Sequence, residues 1–361
     1  MSEAETKRYL DRASRAAMRG FGLVEPNPMV GALIVLRGEV IGIGHHRVFG
    51  GLHAEREAIK NCRERGHDPR GATLYCTLEP CSHHGKQPPC TQAVIDAGFS
   101  RVIIARQDPA ELSSGGVRIL REAGIDVEQT AVSPLAIGIS EPFVHRVRTG
   151  RPWVIAKWAQ TLDGRIATRT GESRWISGAA CRRRVHRLRG RVDAVLVGIG
   201  TAIADDPMLN PRDTRTVRRQ PARVVIDTHG RLPADSRLVR TAAAHRTIVV
   251  TTHTAELDLP GVEVCRVAGD GAVDIGAALR AIAQLGIATV LVEDDLINEA
   301  IVHLAPGILG DAEALPVASG RDAPGLEAMR RFRLVRSRPV GDDVELHYRH
   351  RDQGCGVEGL E

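Results

Sequence analysis

Short apolar runs alternate with helical patterns along the chain, and this alternation constrains the fold more than any other feature. Helical patterns cover residues 6–20, 53–65 and 91–98 of the first half. The strand-like runs of the first half are GALIVL (31–36), VIGIGH (40–45), ATLYCTL (72–78) and RVIIAR (101–106). Strands separated by helices predict an α/β domain in which helices cover the faces of a sheet.

The second half repeats this alternation after VRTGRP at 147–152, which we interpret as a linker. Helical patterns lie at about 178–190 and 275–285. The strand-like runs of this half are 153–159, 193–198, 222–227, 247–251 and 289–293. We therefore expect two α/β domains, residues 1–147 and 151–361, which suits a chain of 361 residues.

Composition argues against several classes of protein. No stretch approaches the roughly 18 apolar residues of a membrane helix, and the first 16 residues lack the apolar core of a secretory signal. We therefore expect a cytoplasmic protein with reduced thiols and no membrane partner. The formal net charge is only +5, and aromatic residues make up 3% of the chain. Because stacking platforms for bases need aromatic side chains, small anionic substrates are favoured over nucleic acid.

Four residues follow the pattern of a zinc hydrolytic site. HAE at 53–55 is followed by PC at 80–81 and by PC at 89–90. In zinc nucleobase deaminases this pattern supplies one imidazole and two thiolates to the metal, while the glutamate stays free. Three protein ligands leave the fourth zinc position open to water, whose pKa falls from about 15.7 to about 7. We therefore predict His53, Cys81 and Cys90 as ligands and Glu55 as the proton carrier.

Three other interpretations remain open at this point. A structural zinc site would need a fourth ligand, for which His45, His83 and His84 are candidates. A non-catalytic interaction protein stabilised by zinc would tolerate the loss of Glu55, whereas a deaminase would stop releasing ammonia with zinc still bound. A polynucleotide deaminase would need aromatic residues around its pocket, and their scarcity argues against it.

Longer motifs resemble the bifunctional riboflavin-biosynthesis deaminase/reductase family over nearly the whole chain. The motifs similar to its deaminase domain are EPNPMVGALIV (25–35), HAEREA (53–58), TLEPCSHHGKQPPC (77–90) and RQDP (106–109). Those similar to its reductase domain are KWAQTLDGRIAT (157–168), GESRWISG (171–178), LRGRVDAVLVGIGTAIADDPML (188–209) and RVVIDTHGRLP (223–233). The resemblance implies a cytidine-deaminase-like three-layer N-terminal domain and a dihydrofolate-reductase-like C-terminal α/β domain.

The resemblance also implies two reactions, two cofactors and a homo-oligomer. The family's substrate is a phosphorylated pyrimidine, 2,5-diamino-6-(5-phosphoribosylamino)pyrimidin-4-one. The first domain uses Zn²⁺ to replace the ring 2-amino group with oxygen, and the second uses NADPH to reduce the ribosyl group to ribityl. By match, the deaminase substrate contacts are Asn27, His83, Lys86 and Asp108.

Family residues of the reductase domain are also matched in this chain. The positions similar to substrate contacts are Lys157, Ser173, Arg189, Leu209, Arg212 and Glu293. The positions similar to NADPH contacts are Ala159, Trp175, Thr201, Asp205 and Thr228, and the family's equivalent of Asp205 lies near the reacting sugar carbon.

Two departures from the family pattern lie in the deaminase half. Glu25 occupies a position where the family usually has histidine. Ala110 and Glu111 follow the RQDP motif in a slightly shortened loop, where the family continues with Asn-Pro. Both departures concern recognition of the pyrimidine or the sugar, and the metal motif itself is intact.

A third departure concerns the reductase half. Only six residues, 294–299, separate the strand ending at Glu293 from the next apolar run. The family has a glycine turn here, and then a helix whose N-terminus receives the cofactor phosphates. A helical parallel crossover takes about a dozen residues, so we expect this helix to be missing and Asp294 and Asp295 to repel phosphate. The alternative function is therefore a deaminase-only homologue with an inactive reductase domain, serving an azapteridine or other specialised pathway.

Overall fold

The computed structural model describes residues 2–255, 257–292, 297–318 and 325–350. The chain divides between Arg151 and Pro152 into two compact units. Each unit has its own sheet and its own apolar core. Among the described residues, no helix combines the length and apolar character needed to cross a bilayer.

The first unit is built on one mixed sheet. Its strands are β1 (Gly31–Leu36), β2 (Glu39–His45), β3 (Thr73–Cys76), β4 (Arg101–Ile104) and β5 (Asp126–Gln129). Its helices are α1 (Glu3–Ala17), α2 (Ala54–Glu64), α3 (Cys90–Asp96), α4 (Gly116–Glu122) and α5 (Pro134–Thr149). The strand order is β2-β1-β3-β4-β5. β1 is antiparallel to β2 and β3, whereas β3, β4 and β5 are parallel.

Helices cover both faces of this sheet. On one face, Ile34 and Leu74 belong to a core shared with α2, α3 and α4. On the other face, Leu33 and Tyr75 belong to a core shared with α1 and α5. Successive strand residues point to opposite faces, which is why neighbours such as Leu33 and Ile34 enter different cores. The first unit is therefore a three-layer α/β/α domain, which confirms the predicted fold class.

The second unit contains a longer sheet. The strands of this unit are β6 (Trp153–Gln160), β7 (Arg165–Ala167), β8 (Ala194–Gly198), β9 (Ala222–Ile226), β10 (Thr247–Thr252), β11 (Glu263–Val267), β12 (Thr289–Val292), β13 (Glu299–Leu304), β14 (Leu315–Pro316), β15 (Phe332–Val340) and β16 (Asp343–His350), and all except β7 and β14 belong to the longer sheet. Its helices are α6 (Ala179–Arg189), α7 (Ile199–Asp205), α8 (Arg237–Arg240) and α9 (Ile275–Gln284).

Most of this sheet is parallel. The strand order is β11-β10-β9-β8-β12-β6-β13-β16-β15, and β14 pairs separately with β7. The strands from β11 to β13 run parallel, whereas β16 is antiparallel to both of its neighbours, β13 and β15. Strand residues such as Val224 and Ile248 share a core with Leu279 and Ile282 of α9. The carboxyl ends of the parallel strands therefore lie along one edge, where open α/β sheets bind ligands.

The strands β12 and β13 flank β6 with a stagger that the sequence does not reveal. Val292, at the end of β12, pairs with Ala156, and Glu299, at the start of β13, pairs with Ile155. β13 thus begins level with the end of β12. Six residues lie between these ends, and they can extend to about 20 Å, whereas crossing two strand spacings takes about 10 Å.

A connection of six residues is long enough here, because β13 starts level with the end of β12 and the chain need not return to the far end of the sheet. The prediction that a phosphate-binding helix is missing at 294–299 falls partly on residues outside the described ranges. Ile297 and Asn298, the described part of the connection, are not helical. Asn298 extends the sheet pairing, since its backbone N–H donates to Val154 O at 3.0 Å and its Oδ1 accepts from Val154 N at 2.7 Å. Glu293, Asp294 and Asp295 lie outside the described residues.

The predicted linker at 147–152 is partly helical, because α5 runs through Thr149. This helix was missed since Pro142 lies inside it, where proline removes a backbone hydrogen bond. Its start has a clear cap: Ser133 Oγ accepts from Ala136 N at 3.0 Å, and Pro134 follows directly. Gly150 ends the helix in the left-handed conformation, with φ 65°.

Candidate metal centre

Three potential metal ligands converge in the first unit. His53 is the N-cap residue of α2, Cys81 lies in the loop after β3, and Cys90 is the first residue of α3. His53 Nδ1 lies 3.4 Å from Cys81 Sγ and 3.3 Å from Cys90 Sγ. All three ligand atoms lie within 4.8 Å of one another.

These distances suit a tetrahedral zinc ion. With Zn–N near 2.1 Å and Zn–S near 2.3 Å, neighbouring ligand atoms are about 3.5 to 3.8 Å apart. Among the described residues the group comprises one histidine and two cysteines, without His45, His83 or His84. The donor set is therefore that of an open, catalytic zinc site rather than a closed structural one. The predicted ligand set is confirmed.

Glu55 lies beside this group in the first turn of α2. Its side chain is buried. Burial and the neighbouring Cys81 thiolate raise the pKa of Glu55 to about 7. A carboxyl group with a pKa near neutrality can both accept and release a proton at neutral pH.

Close packing fixes the start of α2 against the sheet. Gly44 in β2 lies so near the helix that a Cβ atom there would be 2.2 Å from Ala54 O and 2.3 Å from Ala58 N. Real Cβ atoms do not approach backbone atoms this closely. The absence of a side chain at Gly44 therefore sets the position of both His53 and Glu55.

Two charged residues that the sequence analysis did not single out hold the cysteine loops. Glu79 is buried, and its carboxylate accepts from Asp108 N at 2.9 Å and from Val117 N at 2.7 Å. Arg56 Nη2 donates to Pro89 O at 3.0 Å, next to Cys90. The only sequence signal for either residue is its position beside a motif residue.

A buried histidine, also missed, lies behind the metal ligand. The His46 ring meets the His53 ring edge-on, with centroids 5.3 Å apart. His46 Nδ1 lies 3.0 Å from Leu52 O, and its Nε2 lies 3.4 Å from Asn27 Nδ2. The predicted substrate contact Asn27 is therefore linked through His46 to the metal ligand.

The other predicted deaminase contacts occupy loops around the metal group. His83 and Lys86 lie between the two cysteine ligands. Asp108 is buried, and its carboxylate accepts from Ser113 Oγ at 2.7 Å and from Ala110 N at 2.9 Å. The loop that contains Ala110 therefore folds back onto the Asp108 carboxylate. At the other departure, Glu25 Oε1 accepts from Gly22 N at 3.0 Å.

Several predicted reductase residues lie at or just after the carboxyl ends of neighbouring parallel strands. Lys157 and Ala159 lie in the last half of β6, Thr201 lies in α7 directly after β8, and Thr228 follows β9. Thr228 Oγ1 accepts from Val273 N at 3.3 Å. Because β9, β8, β12 and β6 are adjacent in the sheet, these residues lie along its carboxyl edge, the edge at which open α/β sheets bind ligands.

The remaining reductase candidates lie around α6 and α7. Asp205 pairs with Arg174 Nη2 at 2.7 Å, which connects α7 to the loop carrying Ser173 and Trp175. The Arg182 guanidinium lies 4.4 Å from the ring centre of Trp175. Leu209 is buried with φ 51°, Arg212 N donates to His186 Nδ1 at 3.3 Å, and Arg189 ends α6. Glu293 lies outside the described residues.

Comparisons with known proteins agree with this architecture. A family model for the cytidine and deoxycytidylate deaminase zinc-binding region matches residues 3–106, and a model for the RibD C-terminal domain matches residues 152–346. The riboflavin biosynthesis protein RibD of Actinobacillus pleuropneumoniae is 36% identical over 94% of both chains. That of Escherichia coli K12 is 37% identical, covering 94% of this chain and 98% of the relative.

A solved structure is similar over the same length. It is a diaminohydroxyphosphoribosylaminopyrimidine deaminase/5-amino-6-(5-phosphoribosylamino)uracil reductase from Thermotoga maritima, with 35% identity, a TM-score of 0.83, and coverage of 96% of this chain and 99% of that chain. This chain therefore belongs to the RibD family of bifunctional riboflavin-biosynthesis proteins, with a zinc-dependent deaminase domain followed by a reductase domain.

Proposed function

We propose that the first unit hydrolytically deaminates 2,5-diamino-6-(5-phosphoribosylamino)pyrimidin-4-one, replacing its 2-amino group with oxygen. The observation that carries this proposal is the placement of buried Glu55 beside an open set of three ligands. The relatives named for this reaction cover both units of the chain.

Different residues of the first unit would bind the metal, transfer the proton and bind the substrate in this reaction. Zinc bound at the three ligands would lower the pKa of a water molecule toward neutrality. Glu55 takes a proton from the attacking water and delivers it to the leaving nitrogen, so that ammonia departs and the water oxygen stays on the ring. Asn27, His83, Lys86 and Asp108 are the side chains we assign to substrate binding.

For the second unit we propose substrate contacts at Lys157, Ser173, Arg189, Leu209, Arg212 and Glu293. We assign NADPH binding to Ala159, Trp175, Thr201, Asp205 and Thr228. This proposal is supported by the position of several of these residues at the carboxyl edge of the sheet. In that reaction NADPH would supply the hydride that converts the ribosyl group to ribityl.

A deaminase with an inactive reductase domain is the second candidate function, and one observation favours it. Only six residues connect β12 and β13, and they include Asp294 and Asp295. Such a connection leaves no room for a phosphate-binding helix of several turns, and its two carboxylates carry the same sign of charge as phosphate. The deaminated product would then leave for a specialised pathway such as azapteridine synthesis.

A two-step assay separates these functions. Ammonia release from the diaminopyrimidinone is measured first, with zinc-loaded and chelator-treated protein, and NADPH oxidation is followed after deamination is complete. Zinc-dependent ammonia release with NADPH oxidation supports the bifunctional enzyme. Ammonia release without NADPH oxidation supports the deaminase-only homologue, and no ammonia release refutes the deaminase.

We also propose that residues 1–147 and 151–361 are the functional domains, and that the protein is a cytoplasmic homo-oligomer. The division of the chain into two compact units supports the first point, and the family resemblance supports the second. Light scattering during size-exclusion chromatography measures the oligomeric state, and a mass equal to one chain would refute a homo-oligomer.

A further inference from the structure

Two loops meet beside the metal ligands. We call residues 46–52, between β2 and α2, the first rim loop, and residues 82–89, between the two cysteine ligands, the second rim loop. Gln87 Nε2 of the second loop donates to Gly50 O of the first at 3.3 Å. The Lys86 ammonium lies 4.0 Å from the ring centre of Phe49. The two loops are therefore joined within a few residues of His53 and Cys90.

The geometry of the Phe49–Lys86 contact is that of a cation–π pair. An ammonium group within about 6 Å of an aromatic face is attracted by the negative potential of the ring. Gly50 has φ 81°, and a Cβ atom there would lie 3.4 Å from Lys86 Cδ. This is an ordinary van der Waals distance, so the lysine stem lies against the backbone of the first rim loop.

Packing within the unit does not explain the position of Phe49. Its side chain is 44% exposed, although phenylalanine is a large apolar residue that is usually buried. Within the described residues, Lys86 forms no ion pair with a carboxylate, so its charge is not neutralised by a neighbour. The exposed ring therefore restrains an ammonium group that no described carboxylate pairs with, which leaves it accessible to an incoming anion.

We propose that Phe49 is a positioning residue that holds the Lys86 ammonium at the entrance of the deaminase site, where it meets the phosphate of the substrate. This inference rests on the proposed deaminase function. Without the ring, Lys86 would sample many rotamers, and each binding event would have to order it again. Because the contact forms before the substrate binds, it contributes to binding more than to the chemical step.

The test compares KM and kcat for ammonia release in Phe49→Leu and Phe49→Tyr. We expect Phe49→Leu to raise KM about two- to fivefold, which corresponds to an exposed cation–π contact, without changing kcat. Phe49→Tyr should keep the wild-type KM because it retains the ring. Val48→Ala is the matched control, since Val48 is the neighbouring residue and is also exposed, at 50%.

A double-mutant cycle with Lys86→Met completes the test. If Phe49 acts through Lys86, the double variant Phe49→Leu/Lys86→Met has the same KM as Lys86→Met alone. Additive effects, an unchanged KM in Phe49→Leu, or a fall in zinc content with kcat would overturn the proposal. An active wild type with an unaffected Phe49→Leu variant refutes only this inference, whereas an inactive zinc-loaded wild type refutes the deaminase function and this inference together.

Discussion

A buried charge cluster in the second unit allows a quantitative prediction. Glu299 in β13 pairs with His347 Nε2 at 2.7 Å and with Arg349 Nε at 3.3 Å, both in β16. Trp153 Nε1 in β6 donates to the same carboxylate at 3.2 Å. The carboxylate therefore bonds to the strands on both sides of β13, at the end of β13 that follows the connection from β12.

The pKa of Glu299 gives the contribution of its carboxylate to the stability of the second unit. Burial alone would raise it, but the charges of His347 and Arg349 outweigh burial and lower the pKa from 4.5 to about 2. A depressed carboxyl pKa stabilises the fold above the unfolded-state pKa, and this stabilisation is lost as the pH falls toward the folded-state pKa. At 1.36 kcal/mol per pH unit the carboxylate contributes about 3 kcal/mol at pH 7, of which about 1.4 kcal/mol is lost by pH 3.5.

Glu299→Gln keeps the shape of the side chain and removes its charge. We expect this variant to lower the free energy of unfolding of the second unit by about 3 kcal/mol at pH 7, and by about 2 kcal/mol at pH 3.5. Urea titration followed by tryptophan fluorescence measures this unit selectively, because all three tryptophans, Trp153, Trp158 and Trp175, belong to it.

The matched control is Glu263→Gln, which removes the partner of Arg246 in a half-exposed ion pair of the same unit. Exposed pairs contribute less than about 1 kcal/mol, so this variant should unfold close to wild type. The reasoning is refuted if both variants lose the same stability, or if the deficit of Glu299→Gln does not shrink between pH 7 and pH 3.5.

Three further predictions concern the metal centre. Glu55→Gln should keep its zinc but release ammonia about 10² to 10⁴ times more slowly, as a coupled zinc and ammonia assay can show. Cys90→Ala should lose stoichiometric zinc under dialysis, measured by metal analysis, because two remaining ligands hold the ion weakly. Gly44→Ala should destabilise the first unit by about 1 to 3 kcal/mol or more and lower its zinc content, since the new Cβ atom meets Ala54 O and Ala58 N.

Most strands from β1 to β12 and the helices α1, α2, α6 and α9 could be predicted because each is encoded locally, whereas the β15–β16 hairpin was not predicted. β1 and β10, for example, are continuous runs of apolar and β-branched residues whose bounds match the sequence prediction to within one residue. The α5 helix could not be predicted in this way, since Pro142 disguises it and tertiary packing of its buried face stabilises it instead. Short elements such as α4 and β5 were also missed, because four to seven residues carry little periodicity.

The metal ligands could be predicted from the sequence because zinc chemistry restricts both the type and the spacing of its ligands. The supporting residues were not, because their roles depend on contacts between distant segments. Arg56 contacts Pro89 across 33 positions of sequence, and Phe49 contacts Lys86 from a separate loop. The sequence around Arg56 or Phe49 does not indicate which distant residue it contacts, because these contacts form only in the folded chain.

Because β13 starts level with the end of β12, the register of the sheet and the length of the connection between these strands can vary independently. The pairing of both strands with β6 is set by their own residues and by Asn298, so the intervening segment does not determine the order or direction of any strand. We therefore expect insertions and deletions between β12 and β13 to leave the register of both strands unchanged. The sequence of this connection can therefore change during evolution, and ligand recognition with it, without loss of the fold.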